Sequence, residues 1–196
     1  MILRALTASL IVAVPIALVG AQAKPATKSP APESFRANGQ ITGAAGGAAS
    51  AMVIQIDSYT PDADHTALLA SLQKGQAALV AALHKAPAIG KLTIGNHSFV
   101  IRWARTQAVE GDHRRVLAVT DLPVFFAGAG AVDAKPTAGY ELGVIDFTID
   151  SVGLGKGTLA SAAKVKTGGP AGVEVEDYSG KRIDLVTVTR DLPAKR

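Results

Sequence analysis

Between Thr60 and Ala86, Leu68, Leu69, Leu72, Leu79, Val80 and Leu83 recur at spacings of three, four and seven. Asp64, His65, Gln73, Lys74, Gln76, His84 and Lys85 fall mostly elsewhere on the helical wheel. This pattern predicts an amphipathic helix with one buried stripe, started by Asp62 or Asp64 as N-cap and ended at Lys85, ahead of Pro87. Gly75 lies in its middle, where glycine costs roughly 1 kcal/mol against alanine, so a bend or a division into two helices is expected there.

The remainder reads as strands with a period of two. Phe35 to Thr42 predicts a first, edge strand, Gly43 to Ala51 a Gly/Ala loop, and Met52 to Tyr59 a strand alternating Met52, Ile54 and Ile56 against Val53. Phe99 to Val109 and Arg114 to Val124 predict a hairpin. A two-residue turn at Gly111-Asp112 would set Glu110 opposite His113, Trp103 opposite Thr120 and Arg102 opposite Asp121, with Phe99, Ile101, Trp103, Leu122 and Val124 on the core face. Phe125 to Gly139 is too rich in Gly, Ala and Pro for a central strand and is expected to be a loop. Tyr140 to Asp150 alternates again, with Ile145, Phe147 and Ile149 facing one way. Gly157 to Thr167 then pairs with Val173 to Asp177, Val165 opposite Val175, so that Lys166 meets Glu174 and Lys164 meets Glu176. Ile183 to Thr189 is the last strand. The expected fold is α+β: an antiparallel sheet of six to eight strands, able to curl toward a barrel, covered by one bent helix or a helix pair.

Residues 1–23 carry Arg4, an apolar run from Leu6 to Val19 and the small-x-small site Ala21-Gln22-Ala23, the marks of a cleaved signal peptide. The expected address is export, to the periplasm or beyond, with no transmembrane segment after cleavage. Residues 24–34, rich in Pro, Ala, Ser and Lys, read as a disordered linker, and residues 35–196 as a single globular domain. The chain has no cysteine, which excludes thiol catalysis, thiolate zinc sites and thioether-linked haem. Its formal charge of +4 is scattered, without the clustered basic patch that nucleic-acid binding requires.

Catalytic templates fail in turn. Ser71-Leu-Gln-Lys74 and Ser161-Ala-Ala-Lys164 match S-x-x-K, and Lys166-Thr167-Gly168 matches K-T-G. These resemble fragments of the serine β-lactamase and penicillin-binding protein motif set, but no S-D-N stands between them and Ser71 falls in mid-helix. Gly153 to Thr158 resembles a phosphate loop without the Gly-Lys-Ser/Thr order, and reads as a glycine-rich turn. His65, His84, His97 and His113 lack metal-ligand spacing, and Asp57, Asp62 and Asp64 do not form an EF-hand loop. Arg102-Trp103-Ala104-Arg105 reads as a core tryptophan flanked by outward arginines. No catalytic residue, metal or cofactor is therefore assigned. The expected function is an exported, non-enzymatic binding or interaction module. Its partner would be an envelope protein or a small apolar ligand held between helix and sheet by Leu72, Leu79, Leu83, Phe99, Ile101 and Trp103. The alternatives are a small exported hydrolase and a structural envelope protein with a filled core.

Overall fold

Strict alternation shapes the first strand, which turns Phe35, Ala37 and Ile41 inward and Arg36, Asn38 and Gln40 to solvent. The computed structural model describes residues 30–41, 50–125, 135–179 and 181–191; residues 1–29, 42–49, 126–134, 180 and 192–196 lie outside these spans, and with them the expected signal peptide and most of the expected linker and Gly/Ala loop. β1 (Glu33–Ile41) and β2 (Ser50–Ile56) precede α1 (Asp62–Gln73) and α2 (Gln76–Lys85). They are followed by β3 (Gly90–Ile94), β4 (His97–Ala108), β5 (Arg114–Thr120), β6 (Leu142–Ile149), β7 (Leu154–Thr167), β8 (Val173–Tyr178) and β9 (Arg182–Arg190).

The fold is α+β. β1 to β6 follow one another around the sheet, β7 pairs with β6, and β9 lies between β7 and β1, so eight antiparallel strands close a barrel. β8 is the ninth strand, outside the closure. It pairs with Ala163–Thr167 of β7 while β9 pairs with Leu154–Ala160, so the two run end to end along one long strand. β1 is accordingly not the expected edge strand: β2 and β9 flank it, and it includes Glu33 and Ser34 from the predicted linker. Ser50 and Ala51, expected in the Gly/Ala loop, belong to β2. The strand expected from Gly157 already starts at Leu154.

Two apolar cores result. Inside the barrel, Phe35, Met52, Ile54, Ile56, Leu92, Ile101, Phe147 and Leu185 are almost fully buried. The Phe35 and Phe147 rings meet edge to face at 4.9 Å. Outside it, Leu68, Leu72, Leu79 and Leu83 of the two helices pack on Trp103, Leu117, Val119, Leu142 and Val144, bounded by Val165 and Val173 of the β7–β8 arm. Helices of twelve and ten residues are marginal alone. Each buried leucine contributes about 1.5–3 kcal/mol, so this second core, rather than propensity, holds them.

Gly75 divides the helices as its position predicts, with φ 116° and ψ 164°, a region essentially restricted to glycine. The expected Asp62 or Asp64 cap is not formed. Pro61 is the N-cap residue and makes no side-chain cap bond, while both aspartates lie in the first turn, where they face the positive end of the helix dipole. On β7, a Cβ at Gly155 or Gly157 would overlap the β6 carbonyls of Thr148 and Asp146, so these glycines permit the close strand approach at this side of the barrel.

The β4–β5 hairpin corrects the predicted register. Val109 N–H donates to the His113 carbonyl across a three-residue turn, and the ladder sets Trp103 opposite Val119 and Ile101 opposite Thr120. Arg102 is the extra residue of a bulge between them, so Ile101 points into the barrel and Trp103 out of it. The expected common face of Phe99, Ile101 and Trp103 is thereby split. β5 ends at Thr120, leaving Leu122 more than half exposed while Val124 is buried. In the second hairpin Val165 faces Val175 and Lys166 faces Glu174 as predicted. Lys164 sits opposite Asp177 through a register shift, yet keeps its ion pair with Glu176 at 2.9 Å.

Candidate functional site

The layer between helices and sheet is filled. Leu79, Leu83 and Trp103 have no exposed surface, and Leu72 is nearly as buried. Of the six residues predicted to line a ligand space, Leu72, Leu79, Leu83 and Trp103 come together in this outer core. Ile101 faces the barrel interior, and the partly buried Phe99 packs against that interior cluster. Beneath the Gly75 break, Gln76 occupies the space: its amide donates to the Ala163 carbonyl at 2.9 Å and accepts from Val165 N–H at 3.0 Å. A side chain thus completes the hydrogen bonding of the β7 backbone where that strand leaves the barrel.

An open cleft of about 300 Å³ lies instead between the helices, where the start of α1 faces the end of α2. Its α1 wall includes Asp64, Ala67, Leu68 and Ser71, its α2 wall Ala82, Lys85 and the C-cap Ala86, and Thr60, Pro61, Pro87, Ile89 and Arg102 complete the lining. Small residues at i and i+4, Ala67 with Ser71 and Ala82 with Ala86, keep the groove open by filling little of it. That repeat was the sequence signal for the cleft, and a reading based on the leucine stripe passed over it. Arg102, freed from the ladder by the bulge, donates to the Ala86 carbonyl and to Asp121 Oδ2, each at 2.7 Å, and so ties the end of α2 to the barrel. The expected Arg102–Asp121 contact exists, but through the bulge and not through cross-strand pairing. The walls are predominantly apolar, with Lys85 and Asp64 exposed at the rim.

Ionisable groups gather elsewhere and satisfy one another. At one end of the barrel, Glu33 accepts from Arg114 through both oxygens at 2.5 and 2.8 Å and from the Tyr59 hydroxyl at 2.7 Å, and Arg114 lies over the Phe35 ring. Burial disfavours the Glu33 carboxylate, but the bonds from Arg114 and Tyr59 outweigh it and hold the group below the usual range. Burial and then the Glu33 charge push the Tyr59 phenol well upward. Glu33, Arg114 and Tyr59 thus form one mutually bonded set, in which the carboxylate is held ionised and the phenol protonated. Of the two S-x-x-K serines, Ser71 donates to the Ala67 carbonyl and Ser161 to the Lys181 carbonyl, each away from its lysine. Glu141 accepts from Gly139 N–H and takes part in no ion pair among the described residues.

Trp103 is the fully buried tryptophan that its alternation suggested, flanked by Arg102 and by Arg105, which donates to the Thr60 carbonyl and to Asp62 at 2.9 Å. Its indole N–H donates to His65 Nδ1 at 3.1 Å. No described helix is long and apolar enough to cross a membrane. Comparison with models of protein families, with curated proteins and with solved structures gives no match to this chain.

Proposed function

We propose that this protein is an exported, non-enzymatic binding module that holds a small apolar ligand in the cleft between α1 and α2. The observation that carries this reading is the cleft itself, an open groove walled by Ala67, Leu68, Ala82, Ala86 and Ile89, where the other apolar surfaces of both cores are packed closed. A volume of about 300 Å³ is at the lower end for small-molecule sites and suits a short chain or a single ring system. The bonded networks around Glu33 and the two serines favour binding over hydrolysis, since each group is committed to a structural partner.

The test is fluorescence titration with the neutral probe N-phenyl-1-naphthylamine, on the native domain and on Ala67→Trp. Residue 67 is exposed, so the larger side chain fills the groove without entering either core. Saturable binding by the native domain that is lost in Ala67→Trp supports the reading. Absence of binding, or binding indifferent to the substitution, rejects it and favours the structural alternative, to which the two filled cores already give support.

A further inference from the structure

A second recess borders His65, the partner of the Trp103 indole. It has a volume of about 380 Å³ and is lined by His65, Arg105, Thr106, Gln107 and the Gly169–Gly172 segment of the β7–β8 turn. Among the described residues no carboxylate lines it; Glu174, beside Gly169, is paired with Lys166. Because Nδ1 of His65 accepts the indole proton of Trp103, the neutral ring must carry its own proton on Nε2. That nitrogen faces Gly172, lying 3.3 Å from where a Cβ on that glycine would sit. Arg105 commits only Nη1, to Thr60 and Asp62, leaving Nε and Nη2 without a partner among the described residues. Asp62 is 87% exposed, so its charge is screened by water and does little to cancel the guanidinium on the recess side.

We propose that this recess is an oxyanion site, taking a carboxylate or phosphate group between His65 Nε2–H, the unshared edge of Arg105 and the Gln107 amide. All three are donors. A planar guanidinium edge fits either group bidentately, and a neutral imidazole donates without uptake of a proton. The local potential agrees: burial, then the charge of Arg105, holds His65 below its ordinary range, and the opposing effect of Asp62 is smaller. The site is separate from the interhelical cleft and does not depend on what that cleft binds.

The chain contains a single tryptophan, so Trp103 emission reports the state of the His65 ring. Titrations with inorganic phosphate and with acetate, at fixed pH above 7 and with chloride at matched ionic strength as control, should give a saturable change with at least one oxyanion and none with chloride. Which anion responds identifies the group. Arg105→Gln should weaken binding tenfold or more. Gln107→Ala, at an exposed position whose side chain makes no described hydrogen bond, should weaken it severalfold while leaving the urea midpoint unchanged. A response equal in chloride, or an affinity unchanged in Gln107→Ala together with an unshifted His65 Nε2 resonance at saturating anion, overturns the proposal even if Arg105→Gln fails to fold.

Discussion

Gln76 shows how one side chain can replace a neighbouring strand. β7 last pairs with β6 at Ala163, opposite Leu142, and beyond it the backbone turns to Gln76; an unpaired buried N–H or C=O costs about 1–3 kcal/mol. Gln76→Ala should therefore destabilise the domain by about 1–3 kcal/mol in urea unfolding. Gln76→Glu, which keeps the acceptor for Val165 N–H but turns a carboxylate oxygen toward the Ala163 carbonyl, should destabilise at least as much at neutral pH. His65 makes a comparable prediction for pH. Its folded pKa lies below the ordinary value of 6.5, so the unfolded chain binds the extra proton. The stability it contributes is complete above about pH 6.5 and is lost as pH falls through the folded value, because a protonated Nδ1 can no longer accept from Trp103. The urea midpoint and Trp103 emission should change together over that acid range. His65→Gln, which can still accept the indole proton, should flatten both profiles.

Among the elements, the helical pair and the alternating strands were legible because leucine spacing and period-two burial act within a few residues. Gly75 was legible for the same reason. With φ 116° and, among the described residues, no atom within 4 Å of the position a Cβ would take, Gly75→Ala tests backbone strain alone. The expected loss is about 1–3 kcal/mol, measured by thermal or urea unfolding. The bulge at Arg102 was not legible. A single extra residue leaves the local polarity pattern intact while exchanging the two faces of the strand beyond it, and nothing within Ile101-Arg102-Trp103 marks which residue is extra. The candidate site suffered directly. Four of its six predicted residues were brought together, but as a packed layer. The groove arose one helix face away, from alanines whose contribution is the volume they leave empty. Long-range ties such as Trp103 to His65 or Gln76 to Val165 are equally invisible to spacing, since each joins segments that only the closed fold brings together.

At the scale of the molecule, the sheet closes where β1 meets β9, joining Phe35 to Arg190 and Ile41 to Ile183 along strands more than 140 residues apart. The same seam carries Asp191, which accepts from Arg36 at 2.9 Å and from Ser34 at 3.1 Å, and Arg190, which lies 3.6 Å from Glu33. Until β9 is present, β1 and β7 each expose an unpaired edge, and the interior formed by Phe35, Leu185 and Val188 is incomplete. A chain ending at Lys181 should therefore lose the cooperative unfolding transition and bind a dye specific for exposed apolar surface. Contacts this distant in sequence also make for slow folding, because the loop-closure entropy is lost before the contact is gained. The seam consequently acts as a timer. The barrel cannot shut until synthesis has passed β9, more than 140 residues after β1, so its first strand waits on its last.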